Sequence, residues 1–84
     1  MTIDEFNIKW NNYKREGFYG LDIEEQSVVD YLDNEFEKEV KINPDFIFSQ
    51  IKIKFNSCRI YALSDKVEVW QNEINRILNL TPLI

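Results

Sequence analysis

The 84-residue chain is 44% hydrophobic and 14% aromatic, and its formal net charge is −5 at pH 7. This length fits one domain, residues 1–84, with a small core, and the hydrophobic content argues against a disordered chain. The chain has no histidine and a single cysteine, Cys58, which excludes an internal disulfide and removes the commonest general base and transition-metal ligand.

The first predicted element is a helix from Thr2 to about Arg15. Thr2 with Glu5 three residues later forms a capping box at its start. Apolar residues recur at spacings of three and four and define one helical face: Ile3, Phe6, Trp10 and Tyr13.

A second helix is predicted from Asp22 to about Val40, with Asp22 as N-cap and Glu25 completing another capping box. Its buried stripe consists of four residues: Val28, Val29, Leu32 and Phe36. The helix should end before Pro44, because proline disfavours helical geometry in the residue that precedes it.

Two antiparallel strands are predicted between Ile47 and Leu63, joined by a two-residue turn at Asn56-Ser57. This turn pairs Phe55 with Cys58 and Lys54 with Arg59. One face of the hairpin is then apolar: Ile51, Ile53, Phe55, Cys58, Ile60 and Ala62. The other face carries Lys52, Lys54, Arg59 and Tyr61, and the like charges of Lys54 and Arg59 should destabilise it slightly.

A third helix is predicted to open at Ser64-Asp65, with Asp65 and Glu68 as a capping pair, and to end at Thr81-Pro82. Its apolar face consists of Val67, Trp70, Ile74, Ile77 and Leu78. The predicted fold is therefore α+β, with three helices packed on a two-stranded antiparallel hairpin in the order helix–helix–strand–strand–helix. The pattern leaves room for a further short strand at the tail or around Tyr19.

Charge is segregated along the chain. Residues 21–40 hold eight acidic residues and one lysine, whereas residues 41–63 carry a net charge of +3. Asp30, Asp33 and Glu37 share one exposed helical face, which favours binding to a basic surface on a protein partner; the alternative is a solvated face that keeps the protein soluble.

The basic hairpin face allows two interpretations. Lys52, Lys54, Arg59 and Tyr61 could neutralise and stack against a nucleic-acid strand, although the acidic net charge makes nucleic acid the less favoured partner. Alternatively, the acidic second helix lies across this face, or its cations are simply solvated.

The sequence contains no pattern that predicts catalysis. A glycine-rich phosphate loop and a nucleophile elbow are both missing, and Cys58 is expected to be a small core residue. We therefore expect no catalytic, cofactor-binding or metal-binding residues, and no enzyme activity. The chain shows no leader and no apolar run long enough to cross a bilayer, so a cytoplasmic location is expected.

The hairpin sequence resembles a pattern of small phage and prophage proteins of unknown function, Gln-Val-Lys-x-Lys-Phe-Gly-x-Leu-Arg-Phe-Tyr. Asn56 stands at the turn glycine of that pattern and Cys58 at its leucine. The matching residues are Gln50, Lys52, Lys54, Phe55, Arg59 and Tyr61. The resemblance implies a phage or mobile-element setting and no particular mechanism.

These observations predict a small, acidic, non-enzymatic binding protein. In the leading hypothesis the acidic second helix occludes a basic surface on a nuclease or another nucleic-acid-binding protein, as anti-defence or nuclease-immunity proteins do. One alternative is a nucleic-acid-associated regulator that uses the basic hairpin face. Another is a homodimeric structural subunit with an exposed aromatic residue, such as Trp10 or Phe18, at its interface.

Overall fold

The computed structural model describes residues 1–81 and confirms an α+β fold. Within this range, helices and strands follow one another in the order α1 Ile3–Lys9, β1 Gly20–Leu21, α2 Gln26–Ile42, β2 Phe48–Lys54, β3 Ser57–Ala62 and α3 Val67–Ile77. A short 3-10 helix at Asn11–Tyr13 follows α1.

Within residues 1–81 the sheet is mixed and has three strands in the order β1-β2-β3, so the prediction of a sheet made of a two-stranded antiparallel hairpin alone is wrong. β1 runs parallel to β2, with Leu21 opposite Ile51. It is the further short strand for which the sequence left room around Tyr19. Asn7 of α1 holds this short strand, because its side chain accepts from the Leu21 N–H at 2.9 Å and donates to the Leu21 carbonyl at 3.0 Å. Gly20 has φ +79°, and a Cβ there would approach the Asn7 Oδ1 to 2.5 Å, so glycine is required.

The hairpin turn lies one residue earlier than predicted. Phe55 and Asn56 form it, with φ values of 53° and 57°, as in a type I′ turn. Ile53 is therefore opposite Cys58, a position that the predicted turn gave to Phe55. Because the partner of each β2 residue shifts by two, the faces of the hairpin keep their predicted members. Phe55 alone moves off the apolar face, and it is 65% exposed.

The outer edge of β3 is sealed by α3. Gln71 and Asn75 lie one helical turn apart, and their side-chain oxygens accept hydrogen bonds from the backbone N–H groups of Ile60 at 2.9 Å and Cys58 at 2.7 Å. An edge strand otherwise offers such unpaired groups to other chains. Side chains of α3 thus complete the hydrogen bonding of the sheet.

The three helices pack on one face of the sheet around Phe36 of α2. Its ring lies 4.8 to 5.5 Å from the rings of Phe6, Trp10, Phe46, Phe48 and Trp70. Ile51 and Ile60 join this cluster from the sheet, and all are buried. Trp10 and Trp70, which the sequence places on the apolar faces of their helices, are both buried.

α1 begins as predicted and ends earlier. Thr2 Oγ1 accepts from the Glu5 N–H at 3.1 Å, and the Glu5 carboxylate accepts from the Thr2 N–H at 2.7 Å, which confirms the capping box and lowers the pKa of Glu5. The helix ends at Lys9 because the chain has joined the sheet at Arg15, whose N–H donates to the Phe48 carbonyl at 2.7 Å.

The predicted caps of the other two helices are wrong. α2 begins at Gln26, because Asp22 belongs to the sheet edge and donates its N–H to the Ile51 carbonyl at 2.8 Å. α3 begins at Val67, after the predicted Ser64-Asp65 start, and its N-cap Lys66 makes no side-chain capping bond. The Ser64 hydroxyl donates to the Glu39 carboxylate at 2.6 Å and accepts from the Lys66 N–H at 3.0 Å.

α3 ends at Ile77, before the predicted end at Thr81-Pro82. Asn79 has φ +54°, and the Leu80 N–H donates to the Asn75 carbonyl at 2.8 Å, as in a Schellman motif. Pro82 and the suggested tail strand lie outside the described residues.

Candidate functional site

One face of the sheet points away from the helices and carries cations. We call it the basic sheet face and define it by the four predicted residues Lys52, Lys54, Arg59 and Tyr61. These residues alternate along β2 and β3 with buried Ile51, Cys58 and Ile60. The alternation of the two strands therefore brings all four together on one surface.

The like-charged pair on this face is Lys52 with Arg59. The predicted pairing of Lys54 with Arg59 is wrong, because the earlier turn places Lys54 opposite Ser57. Directly opposite residues have their Cβ atoms about 5 Å apart, and like charges there cost a few tenths to about 1 kcal/mol. The sheet thus holds two cations together at a small cost in stability.

The cations of the basic sheet face have no carboxylate within salt-bridge distance among residues 1–81. Lys54 instead places its Nζ 5.4 Å from the centre of the Phe55 ring, a cation–π contact. α2 packs against the opposite face of the sheet, so the interpretation in which it covers these cations is wrong. The face is open to a partner.

A groove continues this surface beyond Tyr61, at the base of the hairpin. The pairing of β2 and β3 is irregular between Phe48 and Gln50, where the bulged strand bends. The groove has a volume of about 640 Å³, and Arg15 and Leu63 contribute to its walls. The guanidinium of Arg15 forms no hydrogen bond or ion pair within the described part of the chain, so it adds a fourth unpaired cation.

The three carboxylates predicted to bind a partner lie along α2, where α1 packs. Lys9 Nζ is 2.9 Å from both Asp33 Oδ1 and Glu37 Oε1, and these bonds raise the pKa of Lys9. The indole N–H of Trp10 also donates to Asp33, at 2.9 Å. Asp30 is 60% exposed and lies 3.6 Å from the N-terminal ammonium group. Asp33 and Glu37 thus hold α1 against α2.

Two further acidic residues of α2 also have internal roles. Glu35 accepts from the indole N–H of Trp70 at 3.3 Å and joins α3 to α2. Glu39 is only 3% exposed and accepts from Ser64 Oγ at 2.6 Å and Asn43 Nδ2 at 2.9 Å. Much of the negative charge in this segment therefore organises the fold.

The aromatic residues predicted for a homodimer interface differ in exposure. Trp10 is 3% exposed and belongs to the core, so the prediction that it forms an interface is wrong. Phe18 is 46% exposed and stays a candidate.

Cys58 is buried, as predicted, and burial raises the pKa of its thiol to about 12. The reactive thiolate is therefore scarce at neutral pH. Residues 1–81 contain no group of three or more carboxylate or thiol side chains placed to hold a metal ion.

The sequence analysis missed two residues that lie beside the basic sheet face, Phe55 and Arg15. Phe55 was assigned to the apolar face, although a turn at Phe55-Asn56 would have kept the same hydrophobic alternation. Asn56, which tolerates left-handed geometry, suits the second position of such a turn. Arg15 was placed in the first helix, and no local pattern links it to the hairpin.

No known protein family, curated protein or solved structure matches this chain. The resemblance of its hairpin to small phage proteins stays a prediction. Across residues 1–81, no helix is both long enough and apolar enough to cross a membrane.

Proposed function

We propose that this protein acts by binding and that it holds a nucleic-acid strand on the basic sheet face. The observation that supports the proposal is the row of unpaired cations beside half-exposed Tyr61, on the surface that the helices leave open. A phosphate backbone would neutralise these cations and release its own counterions, which is the main source of affinity for nucleic acid.

The pairing of Lys52 with Arg59 adds to this argument. A sheet gains nothing from two cations in opposite positions, and residues 1–81 provide no carboxylate that offsets them. A bound phosphate group between the two side chains would replace their repulsion by two attractions.

The net charge of −5 does not prevent this binding. Asp33 and Glu37 lie with Lys9 in the helical layer, on the far side of the core from the cations. The molecule is 23 Å across in its shortest dimension, and the Debye length is about 8 Å at physiological ionic strength. For a nucleic-acid strand on the sheet, electrostatic attraction to the nearby cations would therefore exceed repulsion from the distant acidic residues.

The residues that carry the resemblance to phage proteins lie in the same region. They form one side of the hairpin or its tip: Gln50, Lys52, Lys54, Phe55, Arg59 and Tyr61. The surface that those proteins would share with this chain is therefore the basic sheet face with the hairpin tip. The phage setting itself is part of the proposal.

The inhibitor hypothesis, with the acidic helix against a basic protein, stays a prediction that the geometry supports less. Asp33 and Glu37 have internal partners, so a partner protein would compete with Lys9 for them. Replacing both Asp30 and Glu37 by lysine while keeping Asp33 tests this hypothesis without breaking the Trp10 bond. Unchanged inhibition or binding of a basic nuclease would end it.

The proposed function is tested by fluorescence anisotropy with labelled oligonucleotides at about 50 to 200 mM salt. In the double variant Lys52→Glu/Arg59→Glu, binding should weaken more than tenfold. The slope of log affinity against log salt should also fall by about 1.4, because each lost phosphate contact contributes about 0.7 for single strands. The matched control is Lys41→Glu/Lys66→Glu, which changes the net charge equally at exposed positions of other elements.

Two results would contradict the proposal. One is that the unaltered protein binds no oligonucleotide at the lowest salt concentration. The other is that both double variants lose affinity equally, because binding would then follow net charge and not the basic sheet face.

A further inference from the structure

Phe55 at the tip of the hairpin adopts a backbone conformation that suits it poorly. Its φ of +53° lies in the left-handed region, where asparagine and glycine are favoured and a bulky aromatic residue is an outlier. Such strained positions cluster at binding and switch sites.

Burial of the Phe55 ring contributes little to the stability of the fold. Phe55 is 65% exposed and forms a cation–π contact with Lys54, whose Nζ lies 5.4 Å from the ring centre. The tip itself is held in place, because Asn56 Nδ2 donates to the Thr81 carbonyl at 2.8 Å. The turn therefore presents an aromatic ring on a fixed support, beside the basic sheet face.

Tyr61 presents a second aromatic ring at the other end of this face. It is 50% exposed and lies opposite Gln50, five residues along β2 from Phe55. At about 3.3 Å per residue, the two positions are roughly 16 Å apart. The three cations lie between them, so aromatic rings stand at both ends of a positively charged path.

We infer that the bound strand is single-stranded and that its bases stack on Phe55 and Tyr61 while Lys52, Lys54 and Arg59 contact its phosphates. This inference rests on the proposed function and specifies its ligand. Every base has a π-face that can stack on an aromatic ring. In a duplex the same faces are covered by neighbouring base pairs, so only an unpaired strand can use both kinds of contact.

The groove beyond Tyr61 extends the path. It has room for a further part of the strand, about 640 Å³, and Arg15 supplies another cation on its wall. The unpaired guanidinium can contact a phosphate or stack on a base. A strand running from the hairpin tip to this groove would meet aromatic and cationic side chains along its whole length.

The test uses Phe55→Asn and Tyr61→Ser in the full chain, with short single-stranded and duplex probes. Each substitution should weaken single-strand binding about tenfold, within the range measured for loss of one base–aromatic stack. The slope of log affinity against log salt should not change, because no charge is removed. Binding of the duplex should also be unaffected.

Phe55→Asn separates this role from a structural one. Asparagine suits the left-handed turn, so the variant should unfold at a higher urea concentration than the unaltered protein while binding the strand less tightly. The control for lost aromatic surface is Tyr19→Ser, since Tyr19 is exposed and lines a separate hollow with Ile3 and Gln50, on the other side of β2 from Tyr61. It should leave binding unchanged.

Three outcomes would overturn the inference. Undiminished single-strand binding by Phe55→Asn and Tyr61→Ser would exclude stacking; if Lys52→Glu/Arg59→Glu still lost affinity, the proposed function would survive. Equal binding of duplex and single strand would exclude a single-stranded ligand. Equal binding of a polyglutamate peptide would make the surface a site for polyanions in general.

Discussion

Trp10 donates its indole N–H to Asp33 at 2.9 Å and thereby joins α1 to α2 inside the acidic segment. Asp33→Ala would leave this buried donor without an acceptor, so we expect a loss of about 1 to 3 kcal/mol in the free energy of unfolding. Asp30→Ala is the control on the same helix, because Asp30 is largely exposed and should cost no more than about 0.5 kcal/mol. Urea unfolding measures both, and equal effects would refute a structural role for Asp33.

Glu39 is a buried carboxylate that accepts from Ser64 and Asn43. Glu39→Ala would remove the acceptor of the Ser64 hydroxyl and one of the two acceptors of Asn43 Nδ2, so we expect the free energy of unfolding to fall by about 2 to 3 kcal/mol. Glu37→Ala, two residues earlier on another side of α2 and partly exposed, should cost much less. A double-mutant cycle with Ser64→Ala should give a coupling of about 0.5 to 3 kcal/mol; additive effects would show that the two side chains act independently.

Gln71 and Asn75 supply the acceptors for the outer edge of β3. Replacing either by leucine removes one acceptor, and we expect a loss of about 1 to 3 kcal/mol together with a greater tendency to associate through the exposed edge. Asn72→Leu is the matched control, since Asn72 is exposed on the same helix. Urea unfolding and light scattering should distinguish the variants, and indistinguishable behaviour would argue against sealing of the edge.

The raised pKa of Tyr31 predicts how the free energy of unfolding changes at alkaline pH. Burial, followed by the charges of Glu35 and Glu73, raises the pKa of Tyr31 from 10.0 to about 12. A folded-state pKa above the unfolded value means that the folded protein retains the proton longer, so its contribution to stability is complete below pH 10 and is lost as pH rises towards 12.

Tyr31→Phe removes this titration. The free energy of unfolding of the variant should therefore fall less steeply than that of the unaltered protein between pH 10 and 12. Measuring urea unfolding at several pH values in this window provides the comparison. Parallel curves would mean that the hydroxyl of Tyr31 ionises equally in the folded and unfolded states.

Glycine substitutions at the two turn positions should differ in their effect on stability. Asn56 has φ +57°, and glycine at this second turn position would adopt the same geometry without steric cost. We expect Asn56→Gly to change the free energy of unfolding by no more than about 1 kcal/mol, because the gain in the turn is offset by the loss of the bond to Thr81. Phe55→Gly should increase stability, seen as a higher urea midpoint, because Phe55 has φ +53° and glycine adopts this geometry without strain. A loss of stability would show that the ring supports the fold.

The hydrophobic periodicity predicted the helices and the two long strands because it depends on neighbours within one element. It could not fix the hairpin register, since turns at Phe55-Asn56 and Asn56-Ser57 leave the apolar residues on the same face. The sequence left room for a short strand around Tyr19 but could not fix β1, because it has two residues and depends on Asn7, which is distant in sequence.

The charge pattern showed where acids and bases concentrate but not which of them meet other elements. The spacing of Asp30, Asp33 and Glu37 is the same whether that helical face points to solvent or to α1. The contacts of Lys9 and Trp10 with Asp33 show that this face meets α1. These contacts depend on how α1 packs against α2, which the spacing within α2 does not reveal. The basic residues of the hairpin were predicted correctly as a group, because strand alternation alone places them on one face.

The separation of cations on the sheet from acids among the helices gives the molecule an electric dipole as well as a net charge. In electrophoresis the net charge of −5 would draw it towards the anode. Near a polyanion the protein would instead rotate so that its basic sheet face points towards the polyanion, because electrostatic steering depends on how charge is distributed and not only on the net charge. At low salt the protein would therefore approach a polyanion already oriented, with Lys52 and Arg59 facing it and the acidic helix α2 on the far side.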